Sequence, residues 1–264
     1  MGILNLTPDS FSDGGRLADM AAVLAAARAM AAEADLIDIG GESTRPGAEP
    51  VPVAQEVARI LPAIAAIRDA GIATPLSIDT RNAATARAAL AAGADMVNDV
   101  SGLTHDPDMA AVVAEAGVPV CVMHARGDPR TMQQNPRYGD VVAEVRDWLA
   151  ARVAAAVAAG IARNRIVIDP GIGFGKTQAH NLALLRALPA LRALGLPVLL
   201  GASRKRFIGT ITGVEAAADR VAGSLAVALH AAALGVRVIR VHDVAQTRQA
   251  LAMWQALNPT GDAA

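Results

Sequence analysis

The stretch PLSIDTRNAATARAALAAGADMVND, residues 75–99, decides the fold. It opens with a short apolar run at 75–79, continues with an alanine-rich segment of helical period at 82–92, and returns after Gly93 to a second apolar run at 95–99. Glycine commonly ends a helix because it adopts the left-handed conformation without strain. A strand, a helix and a second strand in this order predict a βαβ unit with two parallel strands.

The same alternation continues along the rest of the chain. Eight short apolar runs are candidate strands, at residues 2–6, 36–40, 75–79, 95–99, 118–123, 165–169, 197–201 and 236–241. Segments of helical period lie between them, among them 53–70, 82–92, 141–159 and 216–234. Eight strand–helix units in 264 residues are typical of a (β/α)8 barrel, whereas a doubly wound sheet more often has fewer strands.

Glycines punctuate this pattern regularly. A glycine stands between a helical segment and the next strand at Gly71, Gly93, Gly117, Gly160, Gly195 and Gly235. Because the punctuation is even, no internal linker or domain boundary can be placed. We therefore predict an α/β fold, a (β/α)8 TIM barrel that forms a single domain over residues 1–258, followed by a polar C-terminal tail at 259–264.

Charge and composition restrict the possible partners. The formal net charge is −1, so no overall positive field attracts nucleic acid, and an anionic ligand must meet a local group of cations. No apolar stretch is long enough to predict a membrane span. The single cysteine, Cys121, lies in an apolar run, which predicts a core residue and fits a reducing compartment. The first residues lack the pattern of a signal peptide, so we expect a cytoplasmic protein.

Polar residues gather where the predicted strands end. They are Asn5 and residues 7–10, 42–46, 79–81, 98–99, 123–124, 169–171, 203–206 and 240–243. The connections at the opposite ends of the strands consist mostly of Ala, Gly and Pro. Since the strands of such a barrel are parallel, their carboxyl ends form one face, and that face carries the chemistry. The sequence predicts an active site there.

Four of these residues indicate the kind of ligand. Asn5, Asp79, Asn98 and Asp169 each close an apolar strand, and each would cost about 1–3 kcal/mol if buried without a polar partner. A nitrogen-rich ring is a suitable partner, because a carboxylate accepts two parallel N–H bonds from an amidine-like edge and an amide both donates and accepts. The alternative is that these side chains cap the following helices or bond to one another.

Cationic residues indicate a site for an anion. Arg45, Arg240 and His242 offer donors, and residues 203–206 add more at a predicted helix start, where the helix dipole favours negative charge. Phosphate or pyrophosphate is the natural ligand. The alternative for Arg204 and Arg206 is a solvated basic turn. It suits Lys205 less well, since the chain has only two lysines against 22 arginines.

Other motifs do not predict a site. The segment DPGIGFGKT at 169–177 differs from a Walker A loop, because Pro170 stands where that pattern requires its first glycine. No histidines or cysteines have the spacing of a zinc site. We interpret His105, His180 and His230 as structural residues.

The strand-end segments also carry a family resemblance. MGILNLTPDSFSDGG at residues 1–15 resembles the opening signature of dihydropteroate synthases, and DIGGESTRPG at 38–47 resembles their second. Further matches follow in the same order: SIDT at 77–80, VND at 97–99, DPGIGFGK at 169–176, SRK at 203–205 and RVHD at 240–243. The resemblance spans essentially the whole chain.

The resemblance implies a folate-synthesis transferase. Its reaction joins 6-hydroxymethyl-7,8-dihydropterin pyrophosphate to p-aminobenzoate with Mg2+, giving 7,8-dihydropteroate, a precursor of tetrahydrofolate, and pyrophosphate. By the resemblance, Lys205, Arg240, His242 and Asp79 are catalytic, and Asn5 helps to bind the magnesium. The substrate-binding residues that it implies are Thr44, Arg45, Pro46, Asp79, Asn98, Met123, Asp169, Phe174, Ser203, Lys205, Arg240 and His242.

Within that set the resemblance assigns separate tasks. Asp79, Asn98, Asp169 and Lys205 hold the pterin, and Arg240 with His242 holds the pyrophosphate. Thr44, Arg45 and Pro46 belong to a loop that closes over the reacting centre together with the loop at 7–15. Phe174, Lys205, Phe11 and Pro46 border the p-aminobenzoate pocket. Arg206 stands where some relatives have a serine near the p-aminobenzoate carboxylate, so a direct ion pair there is one possibility.

The resemblance further implies inhibition by sulfonamides and a homodimer formed through the last barrel helices, where residues 222–233 are almost wholly apolar. Two other functions stay open: a pterin-dependent methyltransferase, and a paralogue that binds pterins without turnover. The first shares the barrel but gives no evident role to Arg240 and His242. A Schiff-base aldolase that uses Lys205 is a further alternative.

Overall fold

The computed structural model describes residues 1–6, 16–43, 47–127 and 130–259, and for residues 16–19 the backbone alone. All eight predicted strands are present: β1 Gly2–Asn5, β2 Ile37–Gly40, β3 Leu76–Asp79, β4 Met96–Asp99, β5 Val120–Met123, β6 Ile166–Asp169, β7 Leu199–Gly201 and β8 Val238–Arg240. Each is shorter than the apolar run that predicted it, although flanking residues such as Leu36 and Pro75 still accept backbone bonds from the neighbouring strand.

Ten α-helices occur in the described part of the chain. They are α1 Arg16–Ala31, α2 Val53–Asp69, α3 Ala83–Ala91, α4 Met109–Ala116, α5 Val141–Ala158, α6 Gln178–Arg186, α7 Leu188–Arg192, α8 Arg206–Thr212, α9 Val221–Ala233 and α10 Val244–Leu257. Short 3-10 helices at Arg163–Arg165 and Ala217–Arg220 precede β6 and α9. Helices follow strands throughout, as the sequence predicts.

The strands close into a barrel. β1 to β6 pair in parallel in chain order, and β7 pairs with β8. Two parallel bridges complete the ring, between Ile168 and Val198 and between Gly2 and Val241. Backbone bonds support the second closure, since Ile3 N donates to Val241 O at 3.0 Å and Val241 N donates to Met1 O at 2.9 Å. The fold is the predicted single-domain (β/α)8 TIM barrel.

Hydrophobic packing forms two layers. Outward-facing strand residues such as Ile39, Ile78 and Ile168 pack against the helices in one large buried cluster. A smaller cluster of Met96, Cys121 and Leu199 fills the barrel interior. The burial of Cys121 confirms the prediction that it is a core residue.

The predicted stop glycines agree with the structure, but one predicted helix is broken. The six predicted stop glycines all have positive φ, and Gly117 is the left-handed cap of α4. The segment predicted as one helix at 216–234 is instead a 3-10 turn followed by α9. The break occurs at Arg220, whose side chain turns back to donate to Val214 O and Arg204 O, both at 3.0 Å.

Two further predictions concern membrane spans and the end of the chain. No helix within the described ranges is long and apolar enough to cross a lipid bilayer. Of the tail predicted at 259–264, residues 260–264 lie outside the described residues.

Candidate active site

The carboxyl-terminal halves of five strands bring polar side chains into one largely buried group. Asp79 and Asp169 are the last residues of β3 and β6, Arg240 is the last of β8, and Asn98 is the last but one of β4. Asp38 lies two residues before the end of β2 and is fully buried. We call the end of the barrel formed by these five residues the mouth.

Arg240 is the central link of the mouth. Its Nε donates to Asp38 Oδ2 at 2.5 Å and its Nη2 donates to Asp79 Oδ2 at 2.7 Å. Asn98 Nδ2 also donates to Asp38 Oδ2, at 3.1 Å. Burial lowers the pKa of Arg240, but Asp38 and Asp79 raise it by more, so the guanidinium stays charged. Asp79 and Asn98 thus bond to Arg240 and Asp38 rather than to each other.

These bonds leave carboxylate oxygens in the mouth without partners. Asp38 Oδ1 and Asp79 Oδ1 are buried, and neither has a hydrogen-bond partner among the described residues. Burial raises the pKa of Asp79 to about 7, aided by Asp38 and opposed by Arg240. A buried acceptor without a donor costs about 1–3 kcal/mol. The mouth is therefore suited to a ligand that brings N–H groups.

Asp169 and Lys205 form the opposite side of the mouth. Asp169 Oδ1 accepts a bond from Gly171 N at 2.7 Å, and burial raises the pKa of Asp169 against the nearby charge of Lys205. Lys205 Nζ donates to Ile172 O and lies 4.7 Å from the centroid of the Phe174 ring. Burial lowers the pKa of Lys205 to about 8, with Asp169 opposing. A carboxylate, an ammonium group and an aromatic face thus lie close together.

A glycine keeps the mouth open on the β7 side. A Cβ atom added to Gly201 would lie 3.9 Å from both Arg240 Cβ and Asp169 Oδ2. Any larger side chain at this position would extend between the two charged residues. The gap suits a flat ligand that contacts both.

The loop after β7 meets the end of β8. Ser203 Oγ lies 3.0 Å from His242 Nδ1 and accepts from His242 N at 3.2 Å. Arg204 forms a two-pronged ion pair with Asp243, with Nε at 3.0 Å and Nη2 at 2.5 Å. Arg204, one of the donors predicted for an anion, thus directs Nε and Nη2 to Asp243, and its role toward an anion stays a prediction.

The remaining predicted residues lie around this centre or outside the described ranges. Asn5 is the half-buried end of β1, Met123 the buried end of β5, and Phe174 is half-buried. Arg206, the first residue of α8, is exposed to solvent. Thr44, Arg45 and Pro46 lie outside the described residues, as do Phe11 and the rest of 7–15.

Of the three histidines predicted to be structural, His180 and His230 have contacts that involve the ring, and for His105 the structure gives a backbone contact. His180 completes a capping box with Thr177 at the start of α6. His230 Nε2 lies 3.1 Å from Leu185 O. The backbone N–H of the exposed His105 donates to Ser101 Oγ at 3.2 Å.

Sequence reasoning assigned no role to Asp38, His124 or Lys176. Asp38 had a usable signal, because it is a charged residue within an apolar strand. Residues two apart in a strand share a face, so Asp38 lies on the same face as Gly40. Lys176 had a weaker one, as one of only two lysines. Its Nζ lies 2.9 Å from Nδ1 of the buried His124. Burial lowers the pKa of His124 to about 3, and the charge of Lys176 adds to this effect.

The chain resembles known proteins over nearly its whole length. The family model described as "Pterin binding enzyme" matches residues 1–242. Dihydropteroate synthase of Neisseria meningitidis serogroup B is 49% identical, and the match covers 97% of this chain and 92% of that protein.

Solved structures show the same likeness. The structure of Xanthomonas albilineans dihydropteroate synthase with 4-aminobenzoic acid has a TM-score of 0.92 at 51% identity, covering 98% of this chain and 92% of that one. The structure of dihydropteroate synthase from the same organism in complex with 7,8-dihydropteroate has a TM-score of 0.88 at 48% identity, covering 98% and 93%.

Protonation of His124 is expected to destabilise the fold. Its pKa is about 3 in the folded protein and about 6.5 in an unfolded chain, so between these values the proton is taken up only on unfolding. The stability that neutral His124 provides is fully present above about pH 6.5. It is lost toward about pH 3, by up to about 1.4 kcal/mol per pH unit.

A matched variant isolates this effect, since buried carboxyls with raised pKa values, such as Asp79, act in the opposite direction. His124→Gln keeps an acceptor for Lys176 but does not titrate. Urea unfolding of both proteins is expected to show that the stability advantage of the wild type shrinks between about pH 7 and about pH 4. Parallel stability curves for the two proteins would contradict the proposed protonation.

Proposed function

This chain belongs to the pterin-binding enzyme family, and on that premise we propose that it is a transferase of folate biosynthesis. It condenses 6-hydroxymethyl-7,8-dihydropterin pyrophosphate with p-aminobenzoate and releases 7,8-dihydropteroate and pyrophosphate. The observation that carries this proposal is the pair of buried oxygens, Asp38 Oδ1 and Asp79 Oδ1, that have no hydrogen-bond partner in the described ranges and lie in the same mouth as Asn98 and Asp169. Such a set of acceptors fits the N–H-rich edges of a pterin.

The pterin is recognised by complementary hydrogen bonds. Asp169 accepts from the amidine-like edge, because each of its oxygens has two lone pairs and only one bond, from Gly171 N, is already made. Asn98 offers its carbonyl oxygen while its amide group is held by Asp38. Asp79 Oδ1 accepts from a further ring N–H. The low dielectric of the buried mouth strengthens each of these bonds.

The chemical step is a substitution at the methylene carbon of the pterin. The arylamine nitrogen forms a bond to this carbon, the C–O bond to the diphosphate breaks, and the amine releases a proton. An arylamine is neutral at pH 7, so its lone pair is available without a strong base. The main requirement is to stabilise the charge that develops on the leaving oxygen.

Arg240 and His242 are suited to that task. Arg240 uses Nε and Nη2 for Asp38 and Asp79, while Nη1 has no partner in the described part of the chain. Its side chain retains 20% exposure, so Nη1 can donate to the departing diphosphate. His242 is oriented by Ser203 next to the same strand end. Together they supply donors where negative charge develops.

Magnesium fits this site only as a partner of the diphosphate. No group of three or more acidic, histidine or cysteine side chains within the described ranges is placed to hold a metal ion. Mg2+ in phosphate-transfer sites is commonly bound by one or two protein oxygens together with substrate phosphates. Asn5 offers one such oxygen at the end of β1. When bound, the ion would neutralise part of the diphosphate charge.

The p-aminobenzoate pocket is assigned to the side of the mouth formed by Lys205 and Phe174. The Phe174 ring offers an apolar face for the arylamine, and the ammonium group over it offers a charge for the carboxylate or the pterin. Ser203 and Met123 lie at neighbouring strand ends. Thr44, Arg45 and Pro46 complete the pocket in this proposal.

Two properties of the whole molecule belong to the same proposal. We assign the protein to the cytoplasm, where the buried thiol of Cys121 stays reduced. We also assign it a homodimer through α9 and α10. Met253 and Leu257 of α10 are exposed by 57% and 67%, and burial of such side chains in an interface is favourable.

The purified protein is expected to form 7,8-dihydropteroate from both substrates with Mg2+, releasing one pyrophosphate per product. Chromatography with a coupled pyrophosphate assay measures both products. Omission of p-aminobenzoate is expected to abolish pyrophosphate release. Pyrophosphate release without dihydropteroate, or no turnover at all, would contradict the proposed reaction and favour one of the other pterin-binding functions.

Asp169→Ala is expected to weaken pterin binding by about 100-fold or more, because a charge-assisted two-pronged contact is lost. Isothermal titration calorimetry with the pterin substrate measures the change. Asp99→Asn is the matched control, since Asp99 is also a buried strand-end carboxyl but bonds to Ser101 and Leu103 of its own loop. Unchanged affinity in Asp169→Ala would remove Asp169 from the site.

The dimer is tested by light scattering after gel filtration. The expected mass is twice the 26.9 kDa of one chain. Replacing both Met253 and Leu257 with Glu is expected to give a monomer, because two charges would be buried in the interface. Val157→Glu on α5, another exposed apolar position, is the control. A monomeric wild type, or a dimer that survives the double change, would refute this interface.

A further inference from the structure

The glycine-rich loop 171–175 is held by side chains at every residue. Its five consecutive carbonyl oxygens each accept a hydrogen bond from a side chain. The donors are Lys176 Nζ to Gly171 O at 2.9 Å, Lys205 Nζ to Ile172 O, Gln133 Nε2 to Gly173 O, Lys176 Nζ to Phe174 O at 3.0 Å, and Tyr138 OH to Gly175 O at 3.0 Å. A loop so fully bonded has one defined path.

The loop is also pressed against the end of β5. Gly171 and Gly175 have φ of +66° and +63°, which disfavours other residues. A Cβ atom would lie 1.8 Å from His124 O at the first position and 2.3 Å from Arg126 O at the second. Small shifts of this loop are therefore sterically coupled to the segment that follows β5.

Lys176 is the only donor in this set that holds two of the five carbonyls. Its side chain is 3% exposed, and besides Gly171 O and Phe174 O its Nζ contacts His124 Nδ1 at 2.9 Å and His124 O at 3.3 Å. In the described part of the chain it has no ion pair with a carboxylate. Burying an ammonium group without one is costly. Its retention calls for a specific task.

Lys176 bonds to carbonyls of the same loop that Lys205 contacts. Lys205 Nζ donates to Ile172 O, which follows Gly171, and lies over the ring of Phe174. Its Cδ would lie 3.3 Å from a Cβ at Gly173. Both anchors of Lys205, a carbonyl and an aromatic ring, thus belong to the segment that Lys176 fixes.

We propose that Lys176 is a positioning residue for the condensation, which braces loop 171–175 so that the ammonium group of Lys205 and the ring of Phe174 are held at the entry of the arylamine. Lys176 touches neither substrate in this proposal and acts through the loop. The inference rests on the function proposed above for Lys205 and Phe174.

Lys176→Met keeps the length of the side chain and removes its donors. It is expected to raise KM for p-aminobenzoate or lower kcat/KM by about 10- to 100-fold, as small displacements of catalytic groups do, and to alter KM for the pterin much less. In a double-mutant cycle, adding Lys176→Met to Lys205→Ala is expected to lower kcat/KM further by clearly less than Lys176→Met does in the wild type, because the part that acts through Lys205 is already lost. Fully multiplicative losses would overturn the proposal.

A second readout does not depend on activity. Because the chain has two lysines, lysine-specific isotope labelling gives NMR signals from Lys176 and Lys205 alone, and only Lys205 remains in Lys176→Met. Its side-chain protons are expected to be shifted upfield by the Phe174 ring in the wild type and to lose that shift in the variant. An unchanged Lys205 signal would refute the positioning role even if the wild type catalysed no condensation.

Arg68→Met is the control for loss of a half-buried cationic brace, which also pairs with Asp95 at 2.6 Å. Arg68 donates to Gly93 O, Ile72 O and Thr74 O at 2.8–3.0 Å, in loops at the opposite end of the barrel from the mouth. It is expected to lower thermal stability while leaving both KM values and the Lys205 signal unchanged. If it reproduces the kinetic changes of Lys176→Met, general destabilisation explains them and the proposal falls.

Lys176→Gln keeps the test open if Lys176→Met does not fold. The shorter amide still has N–H donors for one carbonyl, so a folded protein with a smaller shift of the same parameters is expected. A folded Lys176→Gln with wild-type KM for p-aminobenzoate and a wild-type Lys205 signal would count against the proposal.

Discussion

The contact of one guanidinium group with two carboxylates organises the functional end of this barrel. Arg240 bridges Asp38 and Asp79, and so joins β8 to two strands near the beginning of the chain. Without a cation between them, inward-facing carboxyls in a low-dielectric mouth would repel one another and take up protons. Arg240 holds one oxygen of each, and the other oxygen is buried without a hydrogen-bond partner among the described residues. The bridge thus offsets the electrostatic cost of burying two carboxylates. One oxygen of each carboxylate stays available to accept a hydrogen bond from a ligand.

Much of the fold follows from the sequence because its signals are local. Each strand is a short apolar run, and each of the six stop glycines has the positive φ that ends a helix. The exceptions depend on tertiary contacts. The break before α9 comes from Arg220, which reaches back to carbonyls of two earlier residues, and no periodicity reports such a contact. Loop lengths and barrel closure are likewise decided by packing across the molecule.

The sequence predicts which residues lie in the site, but not which of their side chains bond to one another. Strand-end residues such as Asp79, Asn98 and Asp169 meet because parallel strands bring their carboxyl ends to one face. Which groups then bond is a matter of side-chain reach. The sequence does not predict that Arg204 pairs with Asp243, nor that Asp38 pairs with Arg240. Lys176 shows the same limit, since its acceptors are mostly backbone carbonyls, which carry no residue-specific signal.

Closure of the barrel has a consequence for biosynthesis. Asp38 and Arg240 are 202 residues apart in the chain, and β1 pairs with the segment that follows β8. During translation the acidic strands therefore emerge long before their counter-charge, and β1 and β7 present open edges of the kind that invite intermolecular pairing. A ribosome that stops before β8 would release a product with an incomplete ligand cavity and a template for aggregation.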